Sequence, residues 1–144
     1  MNILVTGGAG YVGSHVVKKL IENNHKVIVY DNLHQGHKGA VDKNAFLIEA
    51  DLKDERKINF AIKKYKINAV IHMAAYVSVE ESMKNPKKYF TNNVNCSINL
   101  LNAMKNNKIK FIVFSSTSIV YGTKAKMPLT EKSKTKAENP YAET

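Results

Sequence analysis

Ile3-Leu4-Val5-Thr6-Gly7-Gly8-Ala9-Gly10-Tyr11-Val12-Gly13-Ser14-His15 decides the fold of this chain. A short apolar run breaks into glycines, and an amphipathic helical pattern follows at once, with Val12, Val16, Val17, Leu20 and Ile21 spaced along residues 11 to about 23. Strand, loop and helix in that order put a helix N-terminus, with its unpaired amides, in front of an anion. Glycines at 8, 10 and 13 meet three demands of such a turn: a tight bend, close approach of the backbone to a diphosphate, and close packing of helix on strand.

A glycine turn alone is a weak signal. Here a second apolar run, Lys26-Val27-Ile28-Val29-Tyr30, ends in Asp31, at about the spacing where dinucleotide folds place the acid that grips the adenosine ribose. A carboxylate at that point accepts hydrogen bonds from the ribose diol and repels a 2′-phosphate, which predicts NAD rather than NADP. The competing reading, a glycine turn followed by a solvated aspartate, leaves the strand, loop, helix and strand context unexplained.

Helix and strand keep alternating outward from there. A polar loop with His34, Gly36, His37 and Gly39 precedes a third strand at residues 45–49, which ends in Ala50-Asp51-Leu52. Ile58, Ala61, Ile62 and Tyr65 then mark a helix over 54–65. A fourth strand, 69–72, opens into Met73-Ala74-Ala75, small residues at a strand's carboxyl end, where open parallel sheets bind ligands. The pattern next predicts one long helix from Pro86 with Phe90, Val94, Ile98, Leu101 and Met104 on one face, and then a fifth strand over 111–115. Residues 116–139 are polar and lysine-rich, without the period of another long element. The fold class is α/β, a doubly wound parallel sheet with the expected order 3-2-1-4-5.

With 144 residues and 44% hydrophobic content, one domain over 1–144 is expected. No apolar run reaches membrane-spanning length, and Met1 leads straight into the first strand without a signal-peptide pattern, so a cytoplasmic location is expected. Cys96, the single cysteine, excludes an intrachain disulfide and reads as a buried, inert thiol. The formal net charge of +10 is nearly all lysine, Arg56 being the one arginine. Scattered without aromatic interleaving, it argues against nucleic acid and for a solvated surface whose field attracts an anionic nucleotide. His34 and His37 lack nearby acidic or cysteine ligands, so no metal is expected, and His72 reads as a satisfied core histidine.

Taken together, residues 6–15, Asp31-Asn32-Leu33, Asp51-Leu52, His72-Met73-Ala74-Ala75, Asn92-Asn93-Val94-Asn95, Phe114-Ser115-Ser116-Thr117-Ser118-Ile119-Val120-Tyr121-Gly122 and Asn139-Pro140-Tyr141 resemble the extended short-chain dehydrogenase/reductase family. The nearest likeness is to its nucleotide-sugar 4-epimerases, isomerases of galactose metabolism. It runs through the whole chain in order and spans about the first half of such an enzyme. The resemblance implies a Rossmann fold in which Gly7, Gly10, Tyr11, Val12 and Gly13 bind the NAD diphosphate and Asp31 and Asn32 the adenosine ribose. It also implies that Asp51 and Leu52 lie beside the adenine, that Met73, Ala74, Ala75 and Ser115 lie along the cofactor, and that Asn92 stands near the loop it braces.

In the family a tyrosinate, here Tyr141, takes the proton from the sugar's 4-hydroxyl while hydride leaves C4 for the nicotinamide; the keto sugar then rotates and hydride returns to its other face. Thr117 stands where a hydroxyl bonds the reacting oxygen. A phenol with a reference pKa near about 10 needs help at neutral pH. The family's help is a lysine four residues on, and Thr144 stands one position short of it. The implied substrate is a UDP-sugar, UDP-glucose or UDP-galactose, and the implied full-length state a homodimer. The expectation is that these 144 residues hold NAD without turnover, and that the fifth strand is a bare edge prone to association. Related nucleotide-sugar 4,6-dehydratases carry an Asp-Glu pair after the threonine, where this chain has Ser118 and Ile119, and Val77 replaces a lysine that some epimerases place near the nicotinamide ribose. Other epimerases of the family and a non-catalytic NAD-binding module stay open at this point, with nucleic-acid binding a distant third.

Overall fold

Ile3, Leu4 and Val5, with Val27, Ile28 and Val29 beside them, are apolar on both faces, as strands covered on both sides by helices must be. A computed structural model, which describes residues 1–144, arranges β1 (Asn2–Thr6), β2 (Lys26–Asp31), β3 (Phe46–Glu49), β4 (Ala69–His72) and β5 (Phe111–Phe114) in one sheet ordered β3-β2-β1-β4-β5. Every pairing is parallel, so the order expected from the sequence stands. All strands therefore present their carboxyl ends along one edge, where Thr6, Asp31, Glu49, His72 and Phe114 end β1 to β5.

The framework divides into two compact units, Met1–Ala75 with Cys96–Ser115, and Tyr76–Asn95 with Ser116–Thr144. In the first unit, α2 (Glu55–Lys64) and α5 (Cys96–Asn106) cover one sheet face. Leu4, Ile28, Tyr30 and Val70 pack there with Ile58, Ala61 and Ile62 of α2 and Cys96, Leu100, Ala103 and Met104 of α5. The opposite face buries Ile3, Val5, Val27 and Val29 against Val17 of α1 (Tyr11–Glu22). Asp54 caps α2 by accepting the Lys57 amide at 3.0 Å. Burial pushes the Cys96 thiol pKa up, with the Asp51 charge adding to it, in keeping with an inert thiol. At the sheet's end, β5 is bare: Phe111 is 65% and Val113 62% exposed. No helix is long and apolar enough to cross a membrane.

The long helix expected from Pro86 is instead three segments, α4 (Pro86–Tyr89), a π-helical stretch Phe90–Asn95, and α5. The wider π turn shifts the register by about a residue. The buried positions become Tyr89, Asn93, Cys96, Leu100, Ala103 and Met104, while Phe90, Ile98 and Leu101 are exposed, contrary to the face read from the sequence. That reading assumed an unbroken 3.6-residue period. Edge readings move by a residue: β3 begins at Phe46 and β5 ends at Phe114.

The second unit contains α3 (Val79–Lys84), which the sequence reading passed over. Its signal is the Ser-x-x-Glu spacing, with the Ser78 hydroxyl accepting the Glu81 amide at 3.2 Å. Asn85 caps α4 ahead of Pro86 in the same manner. Asn139 caps α6 (Pro140–Glu143) by accepting the Ala142 amide at 2.9 Å, with Pro140 in the first helical position.

Candidate functional site

The first unit's carboxyl edge is built around a loop with no room for a Cβ at Gly7 or Gly13. Gly7 has φ +71°, and a Cβ on it would lie 2.7 Å from the Ala74 amide nitrogen. Its own amide donates to the Tyr30 carbonyl at 3.0 Å, while its carbonyl accepts the Gly10 amide at 3.1 Å. A Cβ on Gly13 would meet that same carbonyl oxygen at 2.1 Å. The loop thus folds back on the Gly7 carbonyl, which Gly10 and Gly13 both approach. Gly8 faces inward, where a Cβ would touch the Val29 side chain at 3.0 Å.

Directly after the loop, α1 begins with no side-chain cap and no acidic residue in its first turn. Its opening amides are left for an outside acceptor, and the helix dipole favours an anion there. Tyr11 (84% exposed) and Val12 (57%) stand open at this mouth, the Tyr11 ring edge-on to His15 at 5.2 Å.

Asp31 sits beside the loop with its carboxylate fixed at both ends. One oxygen accepts the Ala9 amide at 3.0 Å and the other the Leu33 amide at 2.9 Å. Each oxygen keeps lone-pair capacity for a further donor. Asn32 donates to Asp51 at 3.0 Å, and Asp51 also accepts the Lys53 amide at 2.8 Å. Burial would raise the Asp51 pKa, but the Lys53 amide, the Asn32 carboxamide and the charges of Lys53 and His34 hold it below the usual carboxylate range. Leu52 is buried next to it. Asp31, Asn32, Asp51 and Leu52 are therefore one connected group.

Met73 donates its amide to the Thr6 carbonyl at 3.0 Å, Ala74 packs on the core, and Ala75 is exposed. Ser115 leaves β5 with its amide on the His72 carbonyl at 3.0 Å. His72 is buried, as its sequence context predicts, and its two ring nitrogens lie 2.6 Å from the Thr6 hydroxyl and 2.8 Å from the Ser97 hydroxyl.

In the second unit, Thr117 begins a short 3-10 turn, Ser118–Tyr121, and its Oγ1 accepts the Ile119 amide at 3.4 Å. That turn packs against α6, which carries Tyr141. The Tyr141 ring stands edge-on to buried Tyr89 at 6.3 Å, and the Tyr89 hydroxyl is pinned between the Ser78 amide and Glu81, each at 3.0 Å. Asn93, which the sequence reading did not include among the site residues, bonds the backbone at Tyr76. It accepts the Tyr76 amide at 2.9 Å and donates to its carbonyl at 3.0 Å, whereas Asn92 bonds the Asn93 side chain. Burial of an asparagine beside a turn is the signal that separates the two. Glu138, held down to about 2 by the amide and hydroxyl of Thr123 and by Lys136, ties the chain ahead of α6 to the residue after Gly122.

The family model described as the NAD dependent epimerase/dehydratase family matches residues 3–144. The UDP-glucose 4-epimerase of Lactobacillus helveticus is 44% identical over 144 residues, covering all of this chain and 44% of that protein. The crystal structure of UDP-glucose 4-epimerase from Stenotrophomonas maltophila, with bound NAD and formylated UDP-arabinopyranose, superposes with a TM-score of 0.95 at 37% identity, covering 99% of this chain and 45% of that one. The Thermotoga maritima UDP-glucose 4-epimerase, solved with UDP-glucose, gives 0.94 at 39% identity, covering 99% and 47%. The chain thus spans less than half the length of these relatives.

Proposed function

Because this chain belongs to the NAD dependent epimerase/dehydratase family, we propose that it is the dinucleotide-holding portion of a UDP-sugar 4-epimerase acting on UDP-glucose and UDP-galactose. The observation that carries the reading is the uncapped start of α1 behind a glycine loop that any Cβ at 7 or 13 would fill. NAD fits this donor set: the loop and first-turn amides hold the diphosphate, and Asp31, already anchored by two amides, presents its remaining lone pairs to the adenosine ribose diol. Asn32 helps there, Asp51 and Leu52 flank the adenine, and Met73, Ala74, Ala75 and Ser115 line the rest. When bound, the nicotinamide supplies hydride transfer at sugar C4.

This chain's own chemistry is proton handling. Tyr141, as its phenolate, accepts the proton of the sugar's 4-hydroxyl on Oη, and the Thr117 hydroxyl hydrogen-bonds the same oxygen, its lone pair being engaged by Ile119. Epimerisation is favoured over 4,6-elimination because Ser118 and Ile119 follow Thr117, leaving no acid-base pair of carboxylates for loss of water. The 144 residues by themselves are proposed to bind NAD without turnover, the sugar-binding half and a homodimer belonging to the full-length form.

The test is a UDP-galactose to UDP-glucose assay on two proteins: the 144-residue chain, and a chimera completed with the remaining carboxyl-terminal part of the Lactobacillus helveticus relative. Conversion by the chimera alone is expected. A folded, NAD-loaded chimera without conversion overturns the epimerase reading, and turnover by the 144 residues overturns the proposed division of labour.

A further inference from the structure

His72 ends β4 in register with Thr6, the last residue of β1, and both are buried. The chain leaves both strands at these two residues, and the segments that follow are the glycine loop and Met73-Ala74-Ala75. They cross at the limit of contact, since a Cβ on Gly7 would lie 2.7 Å from the Ala74 amide and 2.8 Å from the Met73 carbonyl carbon. Two amides close the crossing, Gly7 on the Tyr30 carbonyl and Met73 on the Thr6 carbonyl, each at 3.0 Å. Beneath it, the imidazole reaches in two directions, Nδ1 to Thr6 Oγ1 at 2.6 Å and Nε2 to Ser97 Oγ on α5 at 2.8 Å. Burial pushes the ring pKa down to about 4, so at neutral pH it carries one N–H and one lone pair and serves both hydroxyls, one as donor and one as acceptor. No apolar side chain of similar volume does this.

We propose that His72 is a positioning residue for the dinucleotide: its Nδ1 arm, by fastening Thr6, fixes the passage of Gly7 under Ala74 and so the aim of the loop amides, whereas the Nε2 arm to Ser97 only anchors the ring. This rests on the reading that the first unit holds NAD. The two arms are separable by chemistry. An asparagine amide reaches about as far as Nδ1 and a glutamine amide about as far as Nε2, so His72→Asn preserves the Thr6 arm and His72→Gln the Ser97 arm.

The experiment measures thermal stability, NAD affinity by calorimetry, and amide exchange at Gly7 and Met73 in Thr6→Val, Ser97→Ala, His72→Asn and His72→Gln. Thr6→Val removes the buried Thr6 arm and Ser97→Ala the part-buried Ser97 arm, and both lower stability. Of these two, Thr6→Val alone weakens NAD, by about tenfold, while Ser97→Ala stays within about twofold, and His72→Gln weakens it more than His72→Asn. Equal losses of affinity in Thr6→Val and Ser97→Ala, or tighter binding by His72→Gln than by His72→Asn, overturn the proposal. Should the wild-type chain take no NAD, the cofactor reading fails on its own, and exchange decides the positioning role: faster exchange at Gly7 and Met73 in Thr6→Val alone supports it, and equal acceleration in Ser97→Ala refutes it.

Discussion

Replacing Gly13 with alanine is the smallest change that attacks the cradle. The new Cβ would lie 2.1 Å from the Gly7 carbonyl oxygen and 2.9 Å from Gly8 Cα. Both obstacles are backbone, so no side chain can swing aside, and the loop or the start of α1 must move by about 1 Å to restore ordinary contact. Overpacking of this kind costs about 1–3 kcal/mol, and the gain of alanine over glycine inside a helix returns about 1 kcal/mol. The net loss of up to about 2 kcal/mol corresponds to a fall in Tm of up to about 8 °C for a chain of this size. Affinity suffers more. The carbonyl that is pushed also holds the Gly10 amide, so the donors facing the diphosphate lose their aim, and one charged hydrogen bond is worth about 1.5–3 kcal/mol, or about 10- to 100-fold in Kd. Gly39 is the control, since a Cβ there meets nothing within 4 Å, and Gly39→Ala leaves both quantities unchanged. Thermal unfolding and calorimetric titration with NAD read the two effects. A Gly13→Ala protein that binds NAD within about threefold of wild type and melts no lower would falsify the reasoning.

Asp31→Asn puts an amide donor against the Ala9 or Leu33 amide, leaving one buried donor unsatisfied; a stability loss of about 1–3 kcal/mol and a narrower preference for NAD over NADP are expected in denaturant unfolding and calorimetry. His72 gives a pH signature. Its pKa falls from the ordinary 6.5 to about 4 on folding, so the unfolded chain binds a proton that the folded chain refuses. Its contribution is complete above pH 6.5 and is lost as pH falls toward 4, by about 3 kcal/mol over the window, and urea titrations of His72→Gln should show a shallower decline there. Val113→Lys places a charge on the bare β5 edge and should reduce concentration-dependent association in light scattering; an unchanged weight-average mass would count against the edge as the cause.

Much of the first unit was readable because local signals there agree with one another. β1, the glycine loop, α1 and Asp31 follow in sequence, and the structure ties them by the Gly7, Ala9 and Leu33 amides. The Ile58, Ala61, Ile62 stripe of α2 likewise faces the sheet as its spacing requires. The face from Phe90 to Met104 was misread because a π-helical stretch is set by packing and leaves no mark on a 3.6-residue period. Asn93 was missed for a related reason: two adjacent asparagines look alike until burial selects the one whose amide closes on Tyr76. α3 was legible in Ser78 and Glu81, but six residues give too short a hydrophobic period to notice.

Titration calorimetry of the 144-residue chain with NAD and NADP side by side bears most directly on the claim that the opening glycine turn and Asp31 grip a dinucleotide. One saturable NAD site, with NADP weaker by at least about tenfold, is the predicted result. Folded protein that gives no heat with NAD, or that takes both nucleotides equally, contradicts it.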